Sequence, residues 1–407
     1  MYMKIQFTLW KARHLGCIIP AQFRSWGSMF EQVHTSDPRL LQSLRQEVRA
    51  FLAGELARGA FRPAPNSWMI HDRAFSRRCA AAGFVGMIMP TAFGGRGRSI
   101  VERHVVFEEL LAAGAPVAAH WIADRQSAPQ ILRHGSDRLK RQILPRIAAG
   151  DCTFAIGMSE PDVGSDLASV KTRAEMADGG WRVHGTKLWT SNAQRADYLI
   201  ALCRTGAPEP SRHSNLTQFV VDLSRPGVSV RPIRNINGDE DFCEVHFDGY
   251  FVPDDEVVGK PGEGWSLVMK ELVAERSGPD RFLSTYPVLA RALDGARAVP
   301  DRAVAEIGRL VVNLGALQAM SLSVATAAQL GHAPEIEAII VKDAGTGFEQ
   351  ELPTVVRKAM GIRPGRATAD EARDLLGTAM LYAPSFSLRG GTREIIRGII
   401  ARAVIGQ

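Results

Sequence analysis

Gly157-Met158-Ser159-Glu160-Pro161-Asp162-Val163-Gly164-Ser165-Asp166 sits close to the point where the chain changes its hydrophobic period. Two glycines and a proline make the stretch a turn. Such a turn displays Ser165 and several backbone N–H groups in a form suited to an anionic partner. An ordinary β-turn carrying a Ser and an Asp reads the same way, so the stretch takes its meaning from its flanks.

On the upstream side, from Pro38 to about Gly150, the pattern is helical. Leu41, Leu44, Val48, Phe51 and Leu52 recur at steps of three and four, as one buried helix face requires. Val105, Val106, Leu110, Ile131 and Leu132 continue in the same style, with breaks at Gly94-Gly95 and around Pro116. Downstream the period shortens. Trp181-Arg182-Val183-His184 alternates apolar with polar and runs into Gly185, read here as a turn residue. Gln218-Phe219-Val220-Val221, Val228-Ser229-Val230 and Val245-His246-Phe247 are short β-rich runs, punctuated by Pro226-Gly227, Gly238, Gly249 and Pro253. After Gly264 helical spacing returns, with one stripe at Ile307, Leu310, Val311, Leu314 and Leu317 and another at Ile395, Ile396, Ile399, Ile400 and Val404. The expectation is an α+β multidomain chain: an N-terminal extension over 1–36, an all-α domain over 37–150, a β-barrel or sandwich over 151–260, and a C-terminal helical bundle over 261–407.

Bulk properties narrow the function. The 407 residues exceed what one core organises. The net charge of +6 comes with no basic run, zinc pattern or aromatic-basic stripe, which leaves nucleic acid without a motif. Basic residues around a phosphate-rich ligand account for the charge as well as a plain solvated surface does. No apolar run approaches bilayer-spanning length, so no membrane insertion is expected. Cys17, Cys79, Cys152, Cys203 and Cys243 lie far apart without CxxC spacing. That speaks against a disulfide framework and a structural zinc and fits a reducing, cytoplasmic setting. Met1 to Phe30 carries Lys4, Lys11, Arg13 and Arg24 and no acid. This resembles a transit peptide, or a start codon placed upstream of a true beginning at Met29; the second reading is favoured and the segment is set aside.

Three further blocks stand in order after the first: Lys187-Leu188-Trp189-Thr190-Ser191-Asn192, Ala196-Asp197-Tyr198, and Gly390-Gly391-Thr392-Arg393-Glu394-Ile395-Ile396-Arg397. Together the four resemble the acyl-CoA dehydrogenase family, from roughly residue 37 to the C-terminus. Val163 stands where that family usually has a smaller residue, a departure expected to be tolerated. The resemblance implies a bound FAD. Met158 and Ser159 would lie along the flavin ring and hydrogen-bond it, and Ser165 would contact the cofactor or the thioester end of the ligand. Trp189 and Ser191 would cover the other side of the flavin. Thr392 and Glu394 would touch FAD from the C-terminal side, where free N–H groups at a helix start favour oxygen-rich partners. On composition alone Trp189 is equally a core aromatic; the flanking Thr190-Ser191-Asn192 favours the cofactor.

The family's reaction needs a carboxylate to take the α-proton of a coenzyme A thioester while the flavin accepts the β-hydrogen as hydride. In many members that glutamate directly precedes the Gly-Thr of the last block, a position held here by Gly390, which cannot act as a base. The family's second solution places it on the first long helix after the β domain, here Trp265 to Arg276. Trp265, Val268, Met269 and Leu272 mark a buried face, and Glu275 falls on it. Arg276 matches an arginine the family keeps. Glu275 is the candidate base with Arg276 beside it, and Glu271, one turn earlier, is its rival.

Two blocks with which a neighbouring family subunit grips the adenine half of FAD, Arg-x-x-Phe-Gly and Gln-x-x-Gly-Gly, are not matched. The corresponding regions read Val299-Pro300-Asp301-Arg302-Ala303-Val304-Ala305 and Arg357-Lys358-Ala359-Met360-Gly361-Ile362. A hetero-oligomer whose partner supplies those contacts is expected, against a homo-oligomer that holds the adenine differently. Other implied partners are an acyl-CoA substrate and an acceptor like an electron-transfer flavoprotein. An oxidase or monooxygenase on the same fold, or a non-catalytic half-site subunit, remains the alternative.

Overall fold

Asp37 accepts a hydrogen bond from the N–H of Arg39 at 2.8 Å and Pro38 occupies the first turn, which starts helix α1 (Pro38–Ala57). Its buried stripe, Leu44, Val48 and Leu52, follows the expected spacing. Helices α2 (Arg73–Ala81), α3 (Ile100–Ala112), α4 (Ala118–Ile122), α5 (Ala128–His134) and α6 (Asp137–Ala148) follow, a π-helical turn at Ala123–Ser127 joining α4 to α5. Then come eight strands: β1 (Phe154–Gly157), β2 (Arg173–Ala177), β3 (Gly180–Ser191), β4 (Tyr198–Arg204), β5 (Leu216–Asp222), β6 (Val228–Ile233), β7 (Phe242–Pro253) and β8 (Val257–Val258). Helices α7 (Gly264–Arg276), α8 (Tyr286–Gly295), α9 (Asp301–Gln329), α10 (Glu335–Met360), α11 (Glu371–Tyr382) and α12 (Arg393–Ile405) complete the chain. The order is helices, sheet, helices. This computed structural model describes residues 37–295, 301–365 and 370–405, so the expected N-terminal extension and Val299-Pro300 lie outside the described residues.

The fold gathers these elements into two compact units that do not follow chain order. Of the described residues, one unit takes 37–66, Ile100–Ala115 and those from Arg276 onward. In it the Arg45 and Arg49 guanidiniums of α1 pair with Glu109 of α3 at 2.7 Å each. Helix α9 buries Ile307, Leu310, Leu314 and Leu317, as its stripe predicts. Contrary to expectation, Ala303–Gln329 of α9 is long and apolar enough to cross a bilayer; its buried positions recur at helical steps, as in a bundle's core helix. The second expected stripe is only partly buried. On α12 Ile396 is enclosed, but Ile395, Val404 and Ile405 are exposed, because no element among the described residues lies over that side.

The other unit takes Ser67–Ser99 and Pro116–Glu275. Its single sheet runs β6-β7-β3-β2-β4-β5-β8, with β1 added in parallel to β4. Apolar residues of β3, β4, β5 and β7, among them Trp181, Val183, Phe219 and Phe247, form one core cluster. Gly185 is not the expected turn. It lies inside β3 beside an irregularity in the β3–β7 pairing, with φ of 138°, and a Cβ there would meet Thr172 Cα at 2.7 Å. Close backbone approach, not chain reversal, is what requires glycine. Val163 is tolerated because it is buried with Val170, Leu202, Leu216 and Val268. The described cysteines, Cys79, Cys152, Cys203 and Cys243, are buried.

Candidate functional site

The apolar strand β1 delivers Met158 and Ser159 to its end, and β3 runs beside it. A Cβ on Gly157 would meet Lys187 Cγ and a Leu199 methyl at 3.2 Å, which keeps the two strands close. The Ser159 carbonyl accepts from the Leu188 N–H at 2.8 Å. Just there the β3–β7 ladder skips, from Lys187 opposite Val245 to Thr190 opposite Cys243, so Leu188 and Trp189 drop out of register. Trp189 takes a left-handed φ of 59°, rare for a bulky residue. The bulge lifts the indole out of the sheet: it is 57% exposed and meets Phe242 edge-on, with centroids 6.1 Å apart. Met158, Ser159, Trp189 and Ser191 are thus brought together. Ser165 is exposed on the turn that follows.

Beneath this edge lies an ion pair the sequence reading missed. Lys187, with no exposed surface, donates to Glu160 Oε1 at 2.8 Å and to the Met158 carbonyl at 3.2 Å. The N–H groups of Thr172 and Lys171 complete the carboxylate's partners at 2.9 and 2.7 Å. Burial pushes the Glu160 carboxyl up, but the Lys187 charge and these hydrogen bonds outweigh it and hold it below the usual range. The only signal available was an acid inside the first block and a lysine opening the second. The Ala196-Asp197-Tyr198 block is a joint: Asp197 accepts from Thr153 N at 2.8 Å and from Arg73 at 2.9 Å.

On α7 the buried face is rotated from the expected one. Leu267, Val268 and Glu271 are enclosed, while Trp265, Met269, Leu272 and Glu275 are half-buried. Glu271 Oε1 accepts from Gln126 Nε2 of the π turn at 2.9 Å. Burial, with the charge of Glu275 second, pushes the Glu271 carboxyl up to about 7. Arg276, at the end of α7, belongs to the other unit, where its Nε donates to the Gly390 carbonyl at 3.0 Å. Lys342, fully buried on α10, donates to the next carbonyl, Gly391, at 2.7 Å. Two cations therefore clamp the turn in which Gly390 (φ 68°) and Gly391 (φ 98°) precede α12. Thr392 is half-buried and its hydroxyl faces the Ile395 N–H at 3.4 Å; Glu394 is exposed in the first turn. Arg393 and Arg397 bind Asp343 at 2.7 and 3.1 Å, fixing the helix from below.

The β edge fits a planar, heteroatom-rich ring. It presents an exposed indole, and next to it the Thr190 hydroxyl is buried without a hydrogen-bond partner. Met158, Ser159, Trp189 and Ser191 are the residues that would hold a flavin there. A separate concave pocket lined by Arg146, Gln194, Asp197, Tyr198, Asp222 and Ser224 holds none of the candidate residues. Among the described residues no cluster of three metal-ligating side chains occurs.

Comparison with known proteins identifies the same three successive domains. The acyl-CoA dehydrogenase N-terminal, middle and C-terminal domain models match residues 40–151, 155–250 and 287–405. The chain is 33% identical to the acyl-CoA dehydrogenase IpdE1 of Mycobacterium tuberculosis (strain ATCC 25618 / H37Rv), over 90% of this chain and 97% of that protein. Among solved structures it is similar to the Tcur3481-Tcur3483 steroid ACAD (TM-score 0.81, 27% identity, 92% of this chain and 99% of that one). It is also similar to the ChsE4-ChsE5 complex from Mycobacterium tuberculosis (TM-score 0.76, 26% identity, 92% and 99%).

Proposed function

Because the chain belongs to the acyl-CoA dehydrogenase family, we propose that it binds FAD and desaturates a coenzyme A thioester between the α and β carbons. The observation that carries this reading is Trp189, raised by a bulge beside the Met158-Ser159 strand end and left exposed. Bound FAD supplies the acceptor for the β-hydrogen as hydride. Trp189, Met158, Ser159 and Ser191 would hold the flavin ring, and Thr392 and Glu394 are the further residues that the family resemblance would assign to the cofactor. Glu275 takes the α-proton: it is a half-buried carboxylate on the first helix after the sheet, and Gly390 has no side chain to compete. Arg276, next to Glu275 in sequence, is the second catalytic candidate, and its Nε also braces the Gly390 turn.

The test is the visible spectrum of the purified protein before and after a panel of acyl-CoA thioesters, repeated for Glu275→Gln. A flavin band that bleaches with one thioester supports the reading, and Glu275→Gln should keep the band and lose the bleaching. A colourless protein that stays so with added FAD, or unchanged bleaching in the variant, sinks the corresponding assignment.

The exposed Ile395, Val404 and Ile405 of α12, with Leu388 before them, favour an assembly in which another subunit covers that side. One similar solved structure is described as the ChsE4-ChsE5 complex, and another is named for two proteins, Tcur3481-Tcur3483. A partner that completes the adenine grip follows from this, with electrons passed to a separate flavoprotein acceptor and the whole working in the reducing cytoplasm. Native mass measurement of the chain expressed alone decides; an active, FAD-loaded homo-oligomer refutes the hetero-partner.

A further inference from the structure

Glu271 is a buried carboxyl that the proposed reaction does not use. It precedes Glu275 by four residues on α7, so their Cβ atoms leave one face about 5–6 Å apart. One of its oxygens accepts from Gln126, and the other, Oε2, is buried with no partner. Gln218 of β5, fully enclosed, faces the carboxyl from another side and favours its ionised form, its amide having no other hydrogen-bond partner. Gln126 sits in the π turn, a kink that re-aims side chains and recurs at functional sites. The charges that act on Glu271 are Glu275 on its own helix and Arg125 on the π turn; the amides of Gln126 and Gln218 are neutral. An amide accepts from a protonated carboxyl and donates to an ionised one, so this nest suits either state.

From this arrangement, and resting on the reading of Glu275 as the base, we propose that Glu271 is a positioning residue whose ionisation, one helical turn away, strengthens that base. In the step concerned the α C–H bond breaks and the proton passes to the Glu275 carboxylate. The electron pair stays with the substrate, and the β-hydrogen leaves as hydride to the flavin of the proposed function. Negative charge therefore moves off Glu275 in the transition state. The repulsion between two ionised carboxylates exists before transfer and is relieved during it, which accelerates the step. With its carboxyl pushed up to about 7, Glu271 changes state within the neutral range.

The test is kcat/KM against pH for the FAD-loaded full chain, with the thioester that bleaches it, for wild type, Glu271→Gln and Glu271→Asp. The wild-type profile is expected to rise a second time as pH passes about 7. Glu271→Gln lacks that rise, so the ratio of variant to wild type falls roughly three- to tenfold between pH 6 and pH 8.5. Glu271→Asp restores it. Parallel wild-type and Glu271→Gln profiles overturn the proposal. Unfolding of the chain gives a readout without turnover. A carboxyl raised in the fold contributes stability that is full below its model value of 4.5 and lost as pH rises through about 7. Glu271→Gln should remove that loss, and an unchanged pH dependence again overturns the proposal. The base reading fails separately: turnover surviving Glu275→Gln but abolished at every pH by Glu271→Gln makes Glu271 itself the base and overturns both.

Discussion

Replacing Lys187 by Met, a side chain of similar length without charge, should unsettle the β edge more than any surface change could. Lys187 is fully enclosed and Glu160 is 6% exposed, so the variant leaves a buried carboxylate with only the N–H groups of Lys171 and Thr172. Breaking one side of such a pair costs about 3–5 kcal/mol, which for a unit of this size lowers the unfolding midpoint by roughly 6 to 20 °C. The deficit depends on pH, and its sign can be worked out. In the wild type Glu160 is held low, so its contribution is present above the unfolded value and lost as pH falls. In the variant burial is opposed only by the Lys171 and Thr172 N–H groups, so the carboxyl rises relative to wild type, and the penalty is present at high pH and fades as the group protonates. The gap between the two proteins should therefore be widest near pH 8 and close toward pH 4.5. Combining Lys187→Met with Glu160→Gln should recover part of the loss at pH 8, since the amide keeps one acceptor oxygen for two backbone donors. Thermal unfolding at a series of pH values measures all of this. A variant within about 1 kcal/mol of wild type at pH 8, or a deficit constant with pH, would refute the reasoning.

Further outcomes concern the neighbouring parts. Trp189→Ala should leave folding intact, since the indole is exposed, but weaken FAD binding by up to roughly tenfold in a flavin-fluorescence titration; equal affinity would remove Trp189 from the cofactor site. Arg276→Ala should destabilise the unit that carries the Gly390 turn by about 1–2 kcal/mol in urea unfolding, with Arg276→Lys milder. On α10, Asp343 is raised by burial but held low overall by hydrogen bonds from Arg393 and Arg397. Its anchoring of α12 is thus present at neutral pH and lost in acid, and Asp343→Asn should speed amide exchange in 393–405 already at pH 7. Unchanged exchange there would show that the pair does not fix the helix.

Much of the fold is legible because the hydrophobic period reports burial directly. The stripes of α1 and α9 and the runs in β3, β5 and β7 are buried in the elements their spacing names, while Val228 and Val230 of β6 are half-buried. The failures share a cause: local pattern does not report distant partners. On α7 the apolar residues pointed to a face of Trp265, Val268, Met269 and Leu272, of which only Val268 is enclosed. The enclosed face includes Glu271, because Gln126, 145 residues away in sequence, arrives to satisfy it. A hydropathy reading counts that glutamate as solvated and so misplaces the helix by about one residue. The Glu160–Lys187 pair is hidden for the same reason, and Ile395 on α12 looks like core until the fold leaves its side uncovered. Gly185 misled differently: a turn and a mid-strand close approach call for the same residue.

Gly390 sits at φ 68° with its carbonyl tied to Arg276 and the carbonyl after it tied to Lys342. A side chain in that left-handed conformation costs about 1–2 kcal/mol, and the two cations oppose any rotation that would relieve it. Restoring a glutamate at this position is therefore not one mutation but several coupled ones. A single Gly390→Glu change gives a strained turn before it gives a placed carboxylate. The loop therefore resists any side chain at this position until the clamp is loosened. Engineering that moves the base back to the C-terminal block has to begin at Arg276 and Lys342.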